Sequence, residues 1–229
     1  MKRRADPGKR AAGRKAAEMV EDGMVVGLGT GSTVLFAMER LVERIEGGLS
    51  IAGIPTSYQA ENRARTLGIP LVTLQDHPSP DIAIDGADLV DAGRRLIKGR
   101  GGAHTREKCV AQAAKRLVIV VDQGKCVQKL VGVVPVEVLP FATLPVLRAI
   151  EDLGAKPVLR EGSAKDGPVV TENGNFILDC TFPSIKDPEK LEITLDATPG
   201  VISSGLFTRF IGKTVVIVGK ADGTGAFTL

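Results

Sequence analysis

Between about residues 24 and 121, short apolar runs without strict alternation are separated by stretches of helical period. This alternation constrains the fold more than any other feature of the chain. Runs that lack an apolar–polar alternation suit strands covered on both faces, and strands that alternate with helices call for a parallel sheet. The spacing predicts a helix from about Lys9 to Asp22, stopped by Gly23, and then a strand over Met24–Leu28. A loop at Gly29-Thr-Gly31 leads into a helix over Ser32–Ile45, followed by a strand over Ser50–Pro55 and a helix over Tyr58–Leu67 that ends at Gly68. Further strands are expected at Pro70–Leu74 and Asp81–Ile84, then a helix over Thr105–Arg116 and a strand over Leu117–Val121. The expected fold is α/β, a Rossmann-like parallel sheet flanked by helices.

From about Leu130 the pattern changes. Val133–Leu139, Lys156–Arg160, Asn175–Cys180 and Val201–Leu206 read as strands, with helices over Leu144–Leu153 and Pro188–Ala197. That order, β-α-β-β-α-β, is the ferredoxin-like arrangement. Val215–Gly219 then reads as a strand returning to the first sheet. We therefore expect a catalytic domain of residues 1–130 plus 207–229, and an inserted α+β lobe of 131–206 that takes part in oligomer contacts.

Composition excludes several function classes. Aromatic residues make up 3% of the chain and Trp is absent, which leaves no stacking platform for single-stranded nucleic acid. Three widely spaced cysteines (Cys109, Cys126, Cys180), two histidines and no CxxC give neither a disulfide framework nor a His/Cys metal centre. That usage suits a reducing cytosol, so a cytoplasmic protein is expected. No apolar run approaches the ~18 residues of a membrane helix. The net charge of +3 hides a basic start: Lys2, Arg3, Arg4, Lys9, Arg10, Arg14 and Lys15 against Asp6, which leaves the remainder at about −3. We read this start as a solvated leader and helix beginning, with neither nucleic acid nor membrane as partner.

Three segments can carry chemistry. In Gly27-Leu-Gly-Thr-Gly-Ser-Thr33, glycines between a strand and a helix let a ligand approach the backbone, and the helix start offers free N–H groups. Thr30, Gly31, Ser32 and Thr33 thus form a candidate phosphate cradle. It is no dinucleotide fingerprint, because Ser32 stands where a third glycine is due, and no P-loop, because GK[ST] is absent. The bland alternative is a tight turn with Ser32 capping the helix. In Asp81-Ile-Ala-Ile-Asp-Gly-Ala-Asp88, a strand runs into a turn that puts Asp85 and Asp88 at its carboxyl end, the ligand-binding end of open parallel sheets. The pair can bind sugar hydroxyls, shuttle protons, hold a divalent cation, or simply make a turn. In Lys98-Gly-Arg-Gly-Gly-Ala-His-Thr-Arg-Glu-Lys108, Thr105 is placed to cap a helix whose first turn holds Glu107. A lysine and a carboxylate around a glycine loop suit one small substrate, although the helix dipole favours an acid there in any case. Lys125, just past another strand, can reach the same crevice. His77 reads as loop surface, His104 as a neighbour of the loop without a chemical role, and Cys109 as a buried small hydrophobe. GxSxG and a Cys/His pair are absent, so nucleophilic hydrolase chemistry has no candidate.

In order, Gly29–Thr33, Asp85–Asp88, Lys98–Lys108, Val121-Asp-Gln-Gly-Lys125, Pro135-Val-Glu-Val-Leu-Pro140, Glu172-Asn-Gly-Asn-Phe-Ile-Leu-Asp179 and Pro199-Gly-Val-Ile…Gly205-Leu-Phe207 resemble ribose-5-phosphate isomerases of the A type. The resemblance implies reversible conversion of D-ribose 5-phosphate to D-ribulose 5-phosphate through an enediolate, in the non-oxidative branch of the pentose phosphate pathway. It implies no metal or organic cofactor, and a homodimer or homotetramer. Carried over by motif, Glu107 is the general base; by residue chemistry, Asp85 is the candidate for the ring-opening proton shuttle and Lys98 supplies positive charge where the oxyanion develops. Thr30, Gly31, Ser32, Thr33, Asp85, Gly86, Ala87, Asp88, Lys98, Gly99, Arg100, Gly101 and Lys125 contact the sugar phosphate. Arg100 departs from the family's usual glycine run and can add an anion contact, point outward or narrow the loop; His104 stands where an aliphatic residue is usual.

Other readings fit less well. A sugar-phosphate deaminase or lactonase would share the phosphate cradle but not the set of Lys98, Glu107 and Asp85. A sugar-phosphate-sensing regulator needs a helix-turn-helix for which the leader has no room. A CoA-transferase-like enzyme lacks its glutamate.

Overall fold

Aliphatic runs from distant parts of the chain line up as one six-stranded sheet. The computed structural model describes residues 6–164 and 166–229, so Lys2, Arg3 and Arg4 of the basic leader lie outside the described residues. The strand order is Ala226–Thr228, Thr214–Gly219, Arg116–Asp122, Ile82–Asp85, Val25–Leu28, Ala52–Pro55. All neighbours are parallel except Ala226–Thr228, which the chain end adds antiparallel to Thr214–Gly219. Ile82–Asp85 is buried at every position, as its unbroken apolar run requires. From Val25–Leu28 the chain moves outward to Ala52–Pro55, then returns to build on the other side of its starting strand. The order therefore reverses between Val25–Leu28 and Ile82–Asp85, with Leu28 opposite Ile84. Open α/β sheets bind ligands outside the carboxyl ends of strands at such a switch point.

The first helix, Pro7–Ala17, starts earlier than the periodicity suggests, because Asp6 caps it by accepting from the Lys9 N–H and Pro7 takes the first position. It also stops short of Asp22. Met19 and Val20 turn back to the Ala16 and Ala17 carbonyls, and the Arg44 guanidinium donates to the Ala17 and Val20 carbonyls. Its buried face (Ala12, Gly13, Ala16, Ala17) packs on the helix Ser32–Glu46, which buries Val34, Ala37, Met38 and Leu41. Pro70–Leu74, read as a strand, makes only a bridge between Leu71 and Gly53. Pro70 has no N–H for a ladder, and the chain turns at Thr73, whose hydroxyl donates to Asp76. These segments belong to one compact unit, residues 6–87 with 106–126 and 210–229.

A second unit comprises 88–105 and 127–209. Its antiparallel sheet runs Val201–Ser204, Gly132–Val138, Phe176–Phe182, Lys156–Leu159, with helices Thr143–Asp152 and Pro188–Asp196. Numbered within the unit, the order is 4-1-3-2, the ferredoxin-like topology. Val134, Val136, Val138, Val146, Ile150, Leu178, Cys180 and Leu195 form its core. Three very short strands, Leu89–Asp91, Leu96–Ile97 and Leu206–Phe207, pair antiparallel beside it. The expected single strand Val201–Leu206 is thus divided. Gly205 lies against the Lys98 carbonyl, where a Cβ would sit 2.2 Å away, so only glycine lets the chain leave one sheet for the other.

Candidate active site

At the switch point, backbone and side chain are packed closely. Asp85, 4% exposed, ends its strand with the carboxylate against Gly29, where a Cβ would stand 2.2 Å from Oδ1. That oxygen accepts the Gly86 N–H at 2.7 Å and the Thr30 N–H at 3.2 Å. The strand end therefore fixes the carboxylate, and the carboxylate in turn holds the glycine loop. Gly31, at φ 115°, takes the left-handed turn into the helix Ser32–Glu46. Gly31 is itself the cap residue and no side chain caps this helix, so Ser32 does not play the capping role considered above. The first-turn N–H groups are left for another acceptor, which is the arrangement an oxyanion group requires.

The adjacent strand end contributes hydroxyls that the sequence reading passed over. Thr30 Oγ1 exchanges a 2.6 Å hydrogen bond with Ser57 Oγ and lies 3.3 Å from Thr56 Oγ1. Ser57 caps the helix Tyr58–Thr66 by accepting the Ala60 N–H. The available signal was a Thr-Ser pair directly after a strand and before a helix. Lys125 ends a short 3₁₀ turn, Gln123–Lys125, after the strand Arg116–Asp122 that neighbours Asp85's own.

In the second unit, Asp88 braces the glycine loop. Its Oδ2 accepts the Arg100 N–H at 2.9 Å, while the Arg100 side chain is 81% exposed with Nε 3.7 Å from Asp88 Oδ1. The Arg100 side chain thus points outward and keeps a carboxylate contact with Asp88. Arg160, paired with Asp179, donates to the carbonyls of Gly99 and Arg100 and holds the loop from behind. Lys98 is 4% exposed, with Nζ 5.5 Å from the centre of the Phe207 ring. Burial of that ammonium is affordable only next to groups that offset its desolvation, and an aromatic face is one of them.

The helix that follows is His104–Ala113, with Glu107 in its first turn and 6% exposed. Thr105 does not cap it. The helix begins one residue earlier, and the Thr105 hydroxyl donates instead to Glu137. His104 is fully buried, its Nε2 3.2 Å from the Ser203 carbonyl, and His77 is on the loop surface. Cys109, expected to be buried, is exposed. Two positions beyond Glu107 it is turned ~200° around the helix, away from the face on which Glu107, Val110 and Ala111 are buried. Asp85 and the cradle lie in one unit, Asp88 and Lys98 in the other; the turn 85–88 and the helix start at 104–107 join them through the chain. Among the described residues, no three His, Cys, Asp or Glu side chains are grouped to hold a metal ion.

Sequence and fold comparisons show which proteins the chain is similar to. The family ribose 5-phosphate isomerase A (phosphoriboisomerase A) matches residues 52–223. Ribose-5-phosphate isomerase A of Methanoregula boonei is 63% identical over 212 residues, 93% of this chain and 90% of that protein. The solved ribose 5-phosphate isomerase A of Methanocaldococcus jannaschii is 44% identical with a TM-score of 0.90, covering 96% of this chain and 97% of its own. A D-ribose-5-phosphate isomerase solved in complex with phospho-erythronic acid is 42% identical with a TM-score of 0.93, covering 99% of both chains.

Proposed function

This chain belongs to the ribose 5-phosphate isomerase A family, and from that premise we propose how its residues interconvert D-ribose 5-phosphate and D-ribulose 5-phosphate. The phosphate rests in the cradle Thr30, Gly31, Ser32 and Thr33, on the uncapped helix start. Gly86, Ala87, Asp88, Gly99, Gly101 and Lys125 line the sugar. Arg100 belongs to this group through its backbone rather than its outward side chain. Asp85 moves the proton that opens the furanose ring. Glu107 removes the proton from carbon 2 and returns it to carbon 1, through the cis-enediolate of a pathway step in the non-oxidative pentose phosphate branch. Lys98 places positive charge where the oxyanion develops, a stabilisation worth several kcal/mol in a site that excludes water.

The observation that carries this reading is the Asp85 carboxylate locked against Gly29 beside an uncapped helix N-terminus. It supports the reading because a carboxylate and an uncapped helix start then stand at neighbouring strand ends. The phospho-erythronic acid held by the related isomerase fits the chemistry. It presents a phosphate and, at the reacting end, a planar carboxylate that resembles an enediolate.

The test is ketose formation from ribose 5-phosphate by the purified protein, with EDTA present. Glu107→Gln is expected to lower kcat by ~10²–10⁴-fold and to leave KM within a few-fold. Retention of most turnover by that variant would remove Glu107 from the role of base. No helix among the described residues is long and apolar enough to cross a membrane, and three free thiols support a cytoplasmic setting. A homodimer or homotetramer is supported by apolar side chains on the second unit, where Phe141 is 98% and Leu144 66% exposed. Sedimentation as a monomer at micromolar concentration would overturn it.

A further inference from the structure

We propose that Glu137 is a positioning residue for the isomerisation: through Thr105 it fixes the first turn of the helix that carries Glu107. The inference rests on the assignment of Glu107 as the base. It accounts for two sequence segments that the chemistry above leaves without a task, Pro135–Pro140 and Glu172–Asp179.

Glu137 is fully buried in the strand Gly132–Val138. Four neutral side chains donate to it. Thr171 Oγ1 at 2.8 Å, Asn173 Nδ2 at 3.0 Å and Asn175 Nδ2 at 2.8 Å share Oε1, and the Thr105 hydroxyl takes Oε2. Burying an ionised carboxylate is unfavourable until its hydrogen bonds are counted. A strand that needed only packing here would carry valine, as it does at 134, 136 and 138.

The donors are themselves rigid. Thr171 Oγ1 accepts the Asn173 and Asn175 N–H groups, the Thr171 N–H donates to the Asn175 carbonyl, and Gly174 turns the chain at φ 79°. This turn fixes one carboxylate oxygen, and the other oxygen then holds Thr105. The next strand repeats the grip, because Ser203 stands opposite Glu137 in register and its carbonyl bonds the ring of His104. Two adjacent strand residues thus hold two adjacent residues at the start of the helix, and Glu107 lies within the same turn. A general base works only when aimed at the proton it removes, and misplacement by ~1 Å can cost ~10²-fold in rate.

The experiment is a double-mutant cycle on Thr105 and Glu107, read as kcat and KM for ribose 5-phosphate. Thr105→Val keeps the side-chain shape and deletes the hydroxyl; we expect kcat to fall ~10–10²-fold with KM within about two-fold. Thr105→Ser, which restores the hydroxyl, should recover most of the rate. In a Glu107→Gln background, Thr105→Val should cost almost nothing more, since its effect runs through the carboxylate already removed. A Thr105→Val enzyme with unchanged kcat overturns the inference. So does a loss of the same size in the Glu107→Gln background, which marks a general structural defect. Full turnover by Glu107→Gln alone is the separate failure of the base assignment. If Thr105→Val does not fold, Thr105→Ala enters the same cycle with the same criteria.

Discussion

At the scale of single residues, two glycines of one loop are required for different reasons. Gly31 is needed for its left-handed φ of 115°, and nothing lies where its Cβ would be. Gly29 is needed for space, because the Asp85 carboxylate occupies the Cβ position. The backbone at Gly29 cannot retreat easily, since its N–H bonds the Ile84 carbonyl at 2.9 Å. In Gly29→Ala the carboxylate must therefore move and lose its grip on Thr30. We expect kcat/KM to fall ~10–10²-fold and stability to drop by about 1–3 kcal/mol, read from steady-state kinetics and urea unfolding. Kinetics within two-fold of the parent would show that Asp85 is not held in place by this contact. The glycines themselves were legible in the sequence, but which one faces a carboxylate was not, because Asp85 is more than fifty positions away. Cys109 shows the same limit: its identity suggested burial, and its angle around the helix decided otherwise.

At the scale of elements, the main strands and helices could be read because their apolar faces are long enough to show a period. Strands of two or three residues have no period, so the pairing of Leu89–Asp91, Leu96–Ile97 and Leu206–Phe207 left no trace. The helix Pro7–Ala17 is legible from the spacing and from its stop near Gly23, yet its packing hinges on Gly13, to which the period assigns no special part. A Cβ at Gly13 would lie 2.6 Å from the Thr33 carbonyl oxygen and 2.8 Å from the Ala37 nitrogen, both backbone atoms of the cradle helix. Glycine to alanine inside an exposed helix normally gains about 1 kcal/mol. Here overpacking against an immovable backbone costs about 1–3 kcal/mol, so the clash outweighs the propensity. Gly13→Ala should lower the urea midpoint and raise KM, since the displaced partner begins with Ser32 and Thr33. A raised midpoint would mean that the two helices can separate without strain.

At the scale of the whole molecule, the carboxylates connect stability to pH. Glu43, between Arg14 and Arg40, titrates down at about 2, and Asp81 is lowered by the Lys115 ammonium. Burial pushes Glu137 up, but its four hydrogen bonds outweigh that and hold it below the ordinary 4.5. A folded-state value below the unfolded one means that the unfolded chain binds more protons as the pH falls. The stabilisation is complete above the unfolded values of 3.8 for Asp and 4.5 for Glu, and is lost as the pH drops through the folded ones. Protonation also adds to the net charge of +3, so self-repulsion acts in the same direction. The urea midpoint should therefore be level from neutrality to about pH 5.5 and fall steadily below about 4.5. Salt separates the contributions, because exposed pairs such as Arg14–Glu43 are screened at ~1 M while the buried Glu137 cluster is not. In high salt the decline should become shallower without vanishing, and Glu43→Gln should lose most of its effect on the slope. A midpoint that stays constant down to pH 3 would show that these carboxylates keep the same partners in the unfolded chain.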